Sequence, residues 1–414
     1  MTNDNIFEVD IISLVYGGDA LGRLPDGRAV FVAGALPGER VRLKLVAGGQ
    51  RFAKATLQEV LQPAAERIEP PHPGCPGCHY QHMTYAAQLS AKTAIVRDQF
   101  QRIAGVAQAP VADIVPSPLE WRYRNSAQFH MTAGGQPGFQ EIGSHVVVPV
   151  EECALCVDAL NEALPLLEFE EVPAGVERLQ LRTGTGGEVM LIFESKVPEP
   201  PELTVDLPVS VVHLVSDENG STYPVVMAGD DYLIMEVAGR AFHVSAGSFF
   251  QVNIPQTEAL LRYLLEVLPL NPAASVLEVY AGVGLFSAFL APRVAQLAAI
   301  EFAASAVEDF AANLDEFDNV AIYSGAAEAI LPELDLQPDL VLLDPPRAGL
   351  ALAVLDALLR MAPTHIAYVS CDPATLARDA KRLLAGGYRL NSVQPFDMFP
   401  QTYHIETVSL FSHL

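Results

Sequence analysis

The chain has 414 residues, and half of them are hydrophobic, which is enough for two or three domains with buried cores. Its 25 basic and 50 acidic residues give a net charge of −25, which argues against broad, nonspecific binding to nucleic acid. The N-terminus lacks a basic segment followed by an apolar one, and no apolar run is long enough to cross a membrane. We therefore expect a folded cytoplasmic protein, and a monomer.

The charge is unevenly distributed along the chain. Residues 1–58 hold seven basic and six acidic residues, whereas residues 166–240 hold four basic and fourteen acidic residues. A polyanionic partner is therefore expected to meet the N-terminal part of the protein.

Residues 1–62 are predicted to form a small β-barrel domain. Apolar and polar residues alternate from residue 7, and Gly-rich turns follow at residues 16–19 and 24–27. The loop 34–40 leads into a strand whose outward residues are basic. Such barrels commonly hold single-stranded nucleic acid, but an ordinary barrel with a solvated charged strand has the same pattern.

The cysteines indicate a metal site in a middle domain, residues 63–254. Four of the five cysteines form two Cys-x-x-Cys pairs, Cys75 with Cys78 and Cys153 with Cys156. Without an export signal, this spacing favours zinc or an iron–sulfur cluster over disulfides. His72 is an alternative to Cys156 as a ligand. The site is expected to join the Pro-rich linker 63–83 to the segment that carries the later pair.

The rest of the middle domain is predicted to be mixed α and β. An amphipathic helix is expected at residues 85–104, strands at 121–150, and an antiparallel sheet at 176–243. Phe249, Gln251 and Asn253 then place an aromatic ring and two amides at a domain junction. A flat base could stack and be read there, although aromatic residues before a helix often belong to a core.

Residues 255–414 alternate between helix and strand, which predicts a parallel, doubly wound α/β sheet. The first strand ends in a Gly-x-Gly turn that contains Gly282, and the second strand ends in Glu301, where an acidic side chain can accept hydrogen bonds from a ribose. The third glycine of dinucleotide-binding turns is missing. This favours a nucleoside cofactor without a diphosphate.

Two later strands end in reactive side chains. One ends at Asp344, which is followed by two prolines and Arg347, and the next ends at Cys371, which is followed by a predicted helix opening at Thr375. Cys371 is a candidate nucleophile, although an isolated cysteine is more often a small buried hydrophobe. Because the protein is acidic, a cationic or dipolar neighbour is expected to favour its thiolate.

Taken together, these segments resemble the RNA (uracil-5-)-methyltransferases that use S-adenosylmethionine, in particular the members with an N-terminal TRAM domain. The segments that carry the resemblance are residues 34–39, 248–253, 281–284, 344–349, 370–379 and 397–402. The resemblance implies a C-terminal Rossmann-like class I methyltransferase domain, an OB-like TRAM barrel, and a mixed α+β middle domain.

The resemblance also implies roles for individual residues. Cys371 is expected to be the nucleophile that adds to carbon-6 of uracil, and Glu406 the base that removes the carbon-5 proton. The residues expected around the cofactor are Gln251, Tyr280, Gly282, Glu301 and Asp344, and those expected to contact the substrate are Phe249 and Arg347. A 4Fe–4S cluster is implied rather than zinc, although the family pattern has a cysteine before the first pair and a single later one.

The expected substrate is a uridine of 23S ribosomal RNA. The alternatives are a transfer RNA, or an RNA-binding or redox-sensing iron–sulfur protein without catalysis. Retention of both Cys371 and Glu406 speaks against the non-catalytic reading.

Overall fold

The structure is a computed structural model that describes residues 5–132, 134–141, 146–167, 175–200, 208–216 and 222–413. Its N-terminal strands close into a five-stranded barrel in the order β1-β2-β3-β5-β4. The strands are β1 (Ile6–Leu14), β2 (Ala20–Arg23), β3 (Ala29–Val32), β4 (Arg40–Gly48) and β5 (Phe52–Gln62). Alternate residues such as Val30, Val32, Val41 and Leu43 are fully buried inside it. The predicted barrel is confirmed.

A helix and a sheet follow the barrel. Helix α1 (Tyr85–Gln99) continues into a π-helical turn, Phe100–Ala104, so the predicted helix is present. The sheet has seven strands in the order β12-β11-β10-β9-β6-β7-β8. These strands and the intervening helix are β6 (Ser126–Met131), β7 (Pro137–Gln140), β8 (Val147–Pro149), α2 (Asp158–Ala163), β9 (Val176–Thr183), β10 (Val189–Ser195), β11 (Val209–Ser216) and β12 (Thr222–Ala228).

The structure differs from the predicted antiparallel sheet at residues 176–243 in strand direction and in extent. β10 and β11 are parallel, whereas the other neighbouring strands are antiparallel. Alternation of apolar and polar residues shows which face of a strand is buried, but it carries no information about strand direction. A separate hairpin, β13 (Tyr232–Val237) and β14 (Arg240–Ser245), packs its Val237 and Phe242 into the core of the C-terminal domain.

The C-terminal domain is built on a second seven-stranded sheet, in the order β17-β16-β15-β18-β19-β21-β20. The first five strands in this order are parallel, and β21 is antiparallel to both of its neighbours. The elements are α3 (Ile254–Val267), β15 (Ser275–Val279), α4 (Ser287–Leu290), β16 (Gln296–Glu301), α5 (Ala304–Asn313), β17 (Val320–Ser324), α6 (Ala327–Ile330), β18 (Leu340–Leu343), α7 (Leu352–Met361), β19 (His365–Ser370), α8 (Pro373–Ala385), β20 (Tyr388–Phe396) and β21 (Glu406–His413).

Both faces of this sheet are covered. Leu277 and Leu343 belong to one hydrophobic core, while Val276 and Leu342, their neighbours along the same strands, belong to another. A strand buried on both faces needs apolar residues at every position, which explains why these segments are continuous apolar runs. No helix within the described ranges is long and apolar enough to cross a membrane.

Helix α1 packs against the C-terminal domain. Lys92 on α1 donates to Asp397 Oδ1 at 2.6 Å, and both side chains are completely buried. Gln88 and Gln401 exchange two hydrogen bonds, with the Gln88 amide donating to Gln401 Oε1 and the Gln401 backbone N–H donating back. The loop between β20 and β21 is therefore fixed by a helix that lies three hundred residues earlier in the chain.

Candidate active site

A cavity of about 770 Å³ opens where the parallel strands of the C-terminal sheet end. All nine residues expected to act in catalysis, cofactor binding or substrate binding line it, namely Phe249, Gln251, Tyr280, Gly282, Glu301, Asp344, Arg347, Cys371 and Glu406. They come from six separate segments. The carboxyl ends of parallel strands meet at one edge of a sheet, which is why motifs at several strand ends assemble into one site.

The turn after β15 forms one wall of the cavity. Tyr280 and Gly282 both have positive φ, at 67° and 56°. The Gly282 N–H donates to Glu301 Oε2 at 2.8 Å, so the turn is tied to the end of β16. At Gly284, the second glycine of the turn, a Cβ would lie 2.3 Å from the Leu314 side chain. Close packing therefore leaves no room for a side chain at this position.

Glu301 is held in place by backbone groups. Besides Gly282, the N–H groups of Phe302 and Ala303 donate to its Oε1, at 2.7 and 2.8 Å. A carboxylate accepts about four hydrogen bonds, so one direction is left for a ligand. Phe302 lines the cavity and is 69% exposed, as is Phe249. No sequence pattern singles out Phe302, since one aromatic residue after a strand has no distinctive spacing.

The turn after β19 presents Cys371. Asp372, the next residue, is the N-cap of α8, and its Oδ1 accepts from the N–H groups of Ala374 and Thr375, both at 2.9 Å. Its own N–H donates to Ser370 Oγ at 3.2 Å. The helix thus begins at Pro373, two residues before the predicted start, because proline is favoured at the first helical position. Both neighbours of Cys371 are fixed by hydrogen bonds.

Helix α8 also fixes the loop that carries Arg347. The buried Asp379 accepts from the Leu350 N–H at 2.8 Å and from the Tyr368 hydroxyl at 2.9 Å. Gly349 has φ 73°, and a Cβ there would lie 2.6 Å from Asp379 Oδ2. This contact explains why residues 344–349 and 370–379 both carry distinctive motifs, since the two loops pack directly on each other.

Glu406 opens β21 and is 5% exposed. Ser370 and Thr407 are register partners between β19 and the antiparallel β21. Cys371 directly follows Ser370, and Glu406 directly precedes Thr407. Because the strands are antiparallel, Cys371 and Glu406 therefore lie at adjacent strand ends. The expected nucleophile and the expected base are brought together by this register.

Charge and burial set the protonation of the site. Burial raises the pKa of Cys371 to about 12, and the nearby carboxylates of Glu406 and Asp344 add to the shift. Burial also raises the pKa of Glu406 well above its ordinary value, and that of Asp344 to about 7. Arg347 acts in the opposite direction on Cys371 and Glu406.

The expected cationic neighbour of Cys371 is thus present as Arg347. Its effect is smaller than the combined effect of burial and the carboxylates, so the thiolate is not favoured overall. The predicted cationic neighbour is therefore confirmed, but it does not outweigh burial.

His404 also lines the cavity, in the loop between β20 and β21. Its ring packs on Tyr403, with centroids 4.3 Å apart. Burial and the charge of Arg347 lower its pKa to about 3, so the imidazole is neutral near pH 7. Sequence reasoning assigned it no role, because its position in the cavity depends on the loop that α1 holds.

The two Cys-x-x-Cys loops meet, as expected from their predicted role in joining the middle domain. Cys78, Cys153 and Cys156 belong to one buried cluster, and Cys75 packs against it. The arrangement of the sulfurs does not match the expected metal site. Cys75 and Cys78 are joined as a disulfide, and the described residues contain no group of three His, Cys, Asp or Glu side chains placed to hold a metal.

The second pair consists of free thiols. Cys156 donates a hydrogen bond to the Cys153 sulfur, which lowers the pKa of Cys153. His72, the alternative ligand, packs its ring on Trp121 with centroids 4.9 Å apart. The structure therefore does not support the predicted 4Fe–4S or zinc site on these cysteines.

The basic strand of the barrel is partly neutralised. Arg42 pairs with Glu8 at 3.0 Å and also with Glu59, and Arg40 lies 3.6 Å from Glu8. A strand sequence shows which residues point outward, but not which acids the neighbouring strands place beside them. The barrel's cationic surface is therefore smaller than the count of basic residues indicated.

Comparison with known proteins places the chain in a family. A profile described as tRNA (Uracil-5-)-methyltransferase matches residues 225–413. A protein of Streptomyces avermitilis named as an uncharacterized RNA methyltransferase is 33% identical over 428 residues, which cover 98% of this chain and 97% of the relative. A Thermosynechococcus vestitus protein with the same description is 33% identical, and the match covers 98% of this chain and 97% of that protein.

A solved structure is similar over nearly the full length. It is the Pyrococcus abyssi tRNA (uracil-54, C5)-methyltransferase in complex with S-adenosyl-L-homocysteine, with a TM-score of 0.75 and 26% identity over 97% of this chain and 100% of that one. The chain belongs to the family of these RNA methyltransferases.

Proposed function

We propose that this protein transfers a methyl group from S-adenosylmethionine to carbon-5 of a uridine in RNA. The observation that carries the proposal is the adjacency of Cys371 and Glu406 at two strand ends, inside a cavity that also contains Glu301 and Asp344. The S-adenosyl-L-homocysteine in the Pyrococcus abyssi structure supports the choice of methyl donor.

Carbon-5 of uracil is a poor nucleophile, and this is why a thiol is needed. Cys371 loses its proton to solvent and its sulfur bonds to carbon-6, which moves an electron pair onto the enolate of carbon-5 and oxygen-4. Carbon-5 then takes the methyl group from the sulfonium, and the donor leaves as a neutral thioether.

The enzyme must then be released. The Glu406 carboxylate removes the proton from carbon-5, the double bond between carbon-5 and carbon-6 re-forms, and the sulfur leaves carbon-6 as a thiolate. A raised pKa suits this role, because it makes the carboxylate a stronger base. Glu406 is also shielded from bulk water, since only 5% of it is exposed.

The remaining cavity residues bind and orient. S-adenosylmethionine supplies the methyl group, and we assign its binding to Gln251, Tyr280, Gly282, Glu301 and Asp344. The target base must leave its stack to reach Cys371. We assign Phe249, whose ring is largely exposed, to stacking, and Arg347, which lies close enough to Cys371 to affect its pKa, to the oxygens of the base.

As the substrate we propose 23S ribosomal RNA, on the basis of the N-terminal barrel and the cysteine loops. A transfer RNA is the second candidate, because the similar Pyrococcus abyssi enzyme is named for uracil-54 of tRNA. Both assignments leave the chemistry of the site unchanged.

The test is transfer of labelled methyl from S-adenosylmethionine to unmodified ribosomal and transfer RNA, offered separately, followed by mapping of the modified base. We expect 5-methyluridine in ribosomal RNA, and no label in either RNA with Cys371→Ala. Label in transfer RNA alone would replace the proposed substrate. Undiminished transfer by Cys371→Ala would overturn the mechanism.

A further inference from the structure

The barrel directly contacts the loops that carry the catalytic residues. The turn between β1 and β2 places the Tyr16 ring edge-on against Tyr403, with centroids 6.3 Å apart. At Gly18, in the same turn, a Cβ would lie 3.0 Å from the Tyr403 ring. This part of the barrel therefore packs on the loop that leads to Glu406.

The same turn reaches the nucleophile's own loop. The Tyr16 hydroxyl donates a hydrogen bond to Asp372 Oδ2 at 3.0 Å. The other carboxylate oxygen, Oδ1, is occupied by the N–H groups of Ala374 and Thr375 at the start of α8. The Asp372 carboxylate is thus held from two sides, by the helix that follows Cys371 and by the N-terminal barrel.

Tyr16 is suited to be a permanent donor. Burial, followed by the charge of Asp372, raises its pKa far above the ordinary value, so the hydroxyl keeps its proton. Cys371 and Arg347 are also close enough to affect that pKa. The hydroxyl therefore lies within electrostatic range of the nucleophile as well as in contact with its neighbour.

We propose that Tyr16 is a positioning residue for Cys371, through which the barrel supplies one of the two anchors of the catalytic turn. Without the hydrogen bond from Tyr16, the Asp372 carboxylate is held only through Oδ1, by the N–H groups at the start of α8, and can rotate. The backbone around Cys371 then loses one of its anchors. The negative charge of Asp372, beside the Cys371 thiol, also loses the Tyr16 hydroxyl that partly compensates it. The proposal rests on the methyl transfer proposed above and goes beyond RNA binding by the barrel.

The test compares Tyr16→Phe with a matched control, Tyr388→Phe. The first variant keeps the ring on Tyr403 and loses only the hydroxyl. The control loses a buried hydrogen bond of 2.9 Å, to the Pro363 carbonyl oxygen, without approaching the cavity. Thermal unfolding of both shows that the variants are folded.

With saturating RNA and S-adenosylmethionine, we expect Tyr16→Phe to slow single-turnover methyl transfer about tenfold, the effect of one hydrogen bond to a charged group. The RNA concentration at half-saturation should stay near the wild-type value, and Tyr388→Phe should transfer methyl at the wild-type rate. A weaker RNA affinity with an unchanged maximal rate would overturn the proposal, because Tyr16 would then act in RNA binding.

A second measurement needs neither RNA nor methyl donor. Alkylation of Cys371 by iodoacetamide, followed by peptide mass spectrometry, should be about threefold or more slower in Tyr16→Phe and unchanged in the control. If Tyr16→Phe slows alkylation but the wild-type protein methylates no RNA, the proposed function is refuted and the positioning role of Tyr16 is kept. Unchanged alkylation together with an unchanged maximal rate would refute the positioning role alone.

Discussion

Ser370 and Thr407 are paired across two antiparallel strands, and the Thr407 hydroxyl donates to the Ser370 carbonyl oxygen at 3.1 Å. The residues that follow Ser370 and precede Thr407 are Cys371 and Glu406. A buried hydrogen bond therefore fixes the register on which the proposed chemistry depends, because a slip of one residue would turn either side chain to the other face of the sheet.

Replacing Glu406, the proposed base, should trap the proposed covalent intermediate. With Glu406→Gln, we expect methyl transfer to carbon-5 to proceed but release of the RNA to slow by about 10² to 10⁴-fold, the usual effect of losing a general base. Methylated RNA bound to protein should then survive denaturing electrophoresis. The exposed Glu308 provides a matched control, and Glu308→Gln should show normal turnover. Free methylated RNA at the wild-type rate from Glu406→Gln would remove Glu406 from the mechanism.

The reactivity of Cys371 should rise with pH. Since its pKa is raised to about 12, the thiolate fraction below that pH should grow about tenfold per pH unit, so iodoacetamide alkylation should increase from about pH 6 to 9 without a plateau. Arg347 lowers this pKa, so Arg347→Met should raise it and slow alkylation at every pH in that range. A plateau near neutral pH in the wild type would show that the thiolate is favoured after all.

The buried pair of Lys92 and Asp397 should matter for stability. Lys92→Met leaves a buried carboxylate without its cation and should lower the free energy of unfolding by about 3 to 5 kcal/mol in urea titrations. The double variant Lys92→Met, Asp397→Asn removes the uncompensated charge and should recover part of that loss. If the double variant is no more stable than Lys92→Met, the ion pair is not what holds the loop.

Gly349 should be intolerant of a side chain. Gly349→Ala combines positive φ with a Cβ 2.6 Å from Asp379 Oδ2, and should cost more than the roughly 1 to 2 kcal/mol of backbone strain alone. Gly27→Ala has a similar φ, 87°, but open space around the Cβ, so it reports the strain by itself. We expect Gly349→Ala to be less stable and less active than Gly27→Ala in paired unfolding and methyl-transfer measurements. Equal losses would show that the contact with Asp379 relaxes freely.

For the two Cys-x-x-Cys loops, the structure and the sequence resemblance predict different metal contents and different numbers of free thiols. The structure has three free thiols, Cys153, Cys156 and Cys371, and so predicts three thiols in protein unfolded without reductant. The sequence resemblance predicts bound iron and four cysteine ligands. We would purify the protein under nitrogen and measure iron, zinc and free thiols. Metal in the wild type that is lost in Cys153→Ala but kept in Cys371→Ala would restore the predicted metal site.

Much of the fold could be predicted because its signals are local. The barrel strands and the parallel strands of the C-terminal sheet have the apolar spacing that their burial requires. Helix α1 was predicted from an amphipathic pattern that it does not have, because its buried face includes Gln88, Lys92 and Thr93. The residues of the cavity could also be predicted, since most of them directly follow a strand or a Gly-containing turn. Parallel strands bring such ends together whatever the rest of the chain does.

Other features were decided only by the tertiary structure. The parallel pairing of β10 and β11, the neutralisation of Arg42 by Glu8 and Glu59, and the raised pKa of Cys371 all depend on which strands and acids become neighbours. The contact of Tyr16 with Asp372 joins residues 356 positions apart. Such contacts leave no periodicity in the sequence, because they form when whole elements pack together. The local pattern of each element is the same whether or not the contact forms.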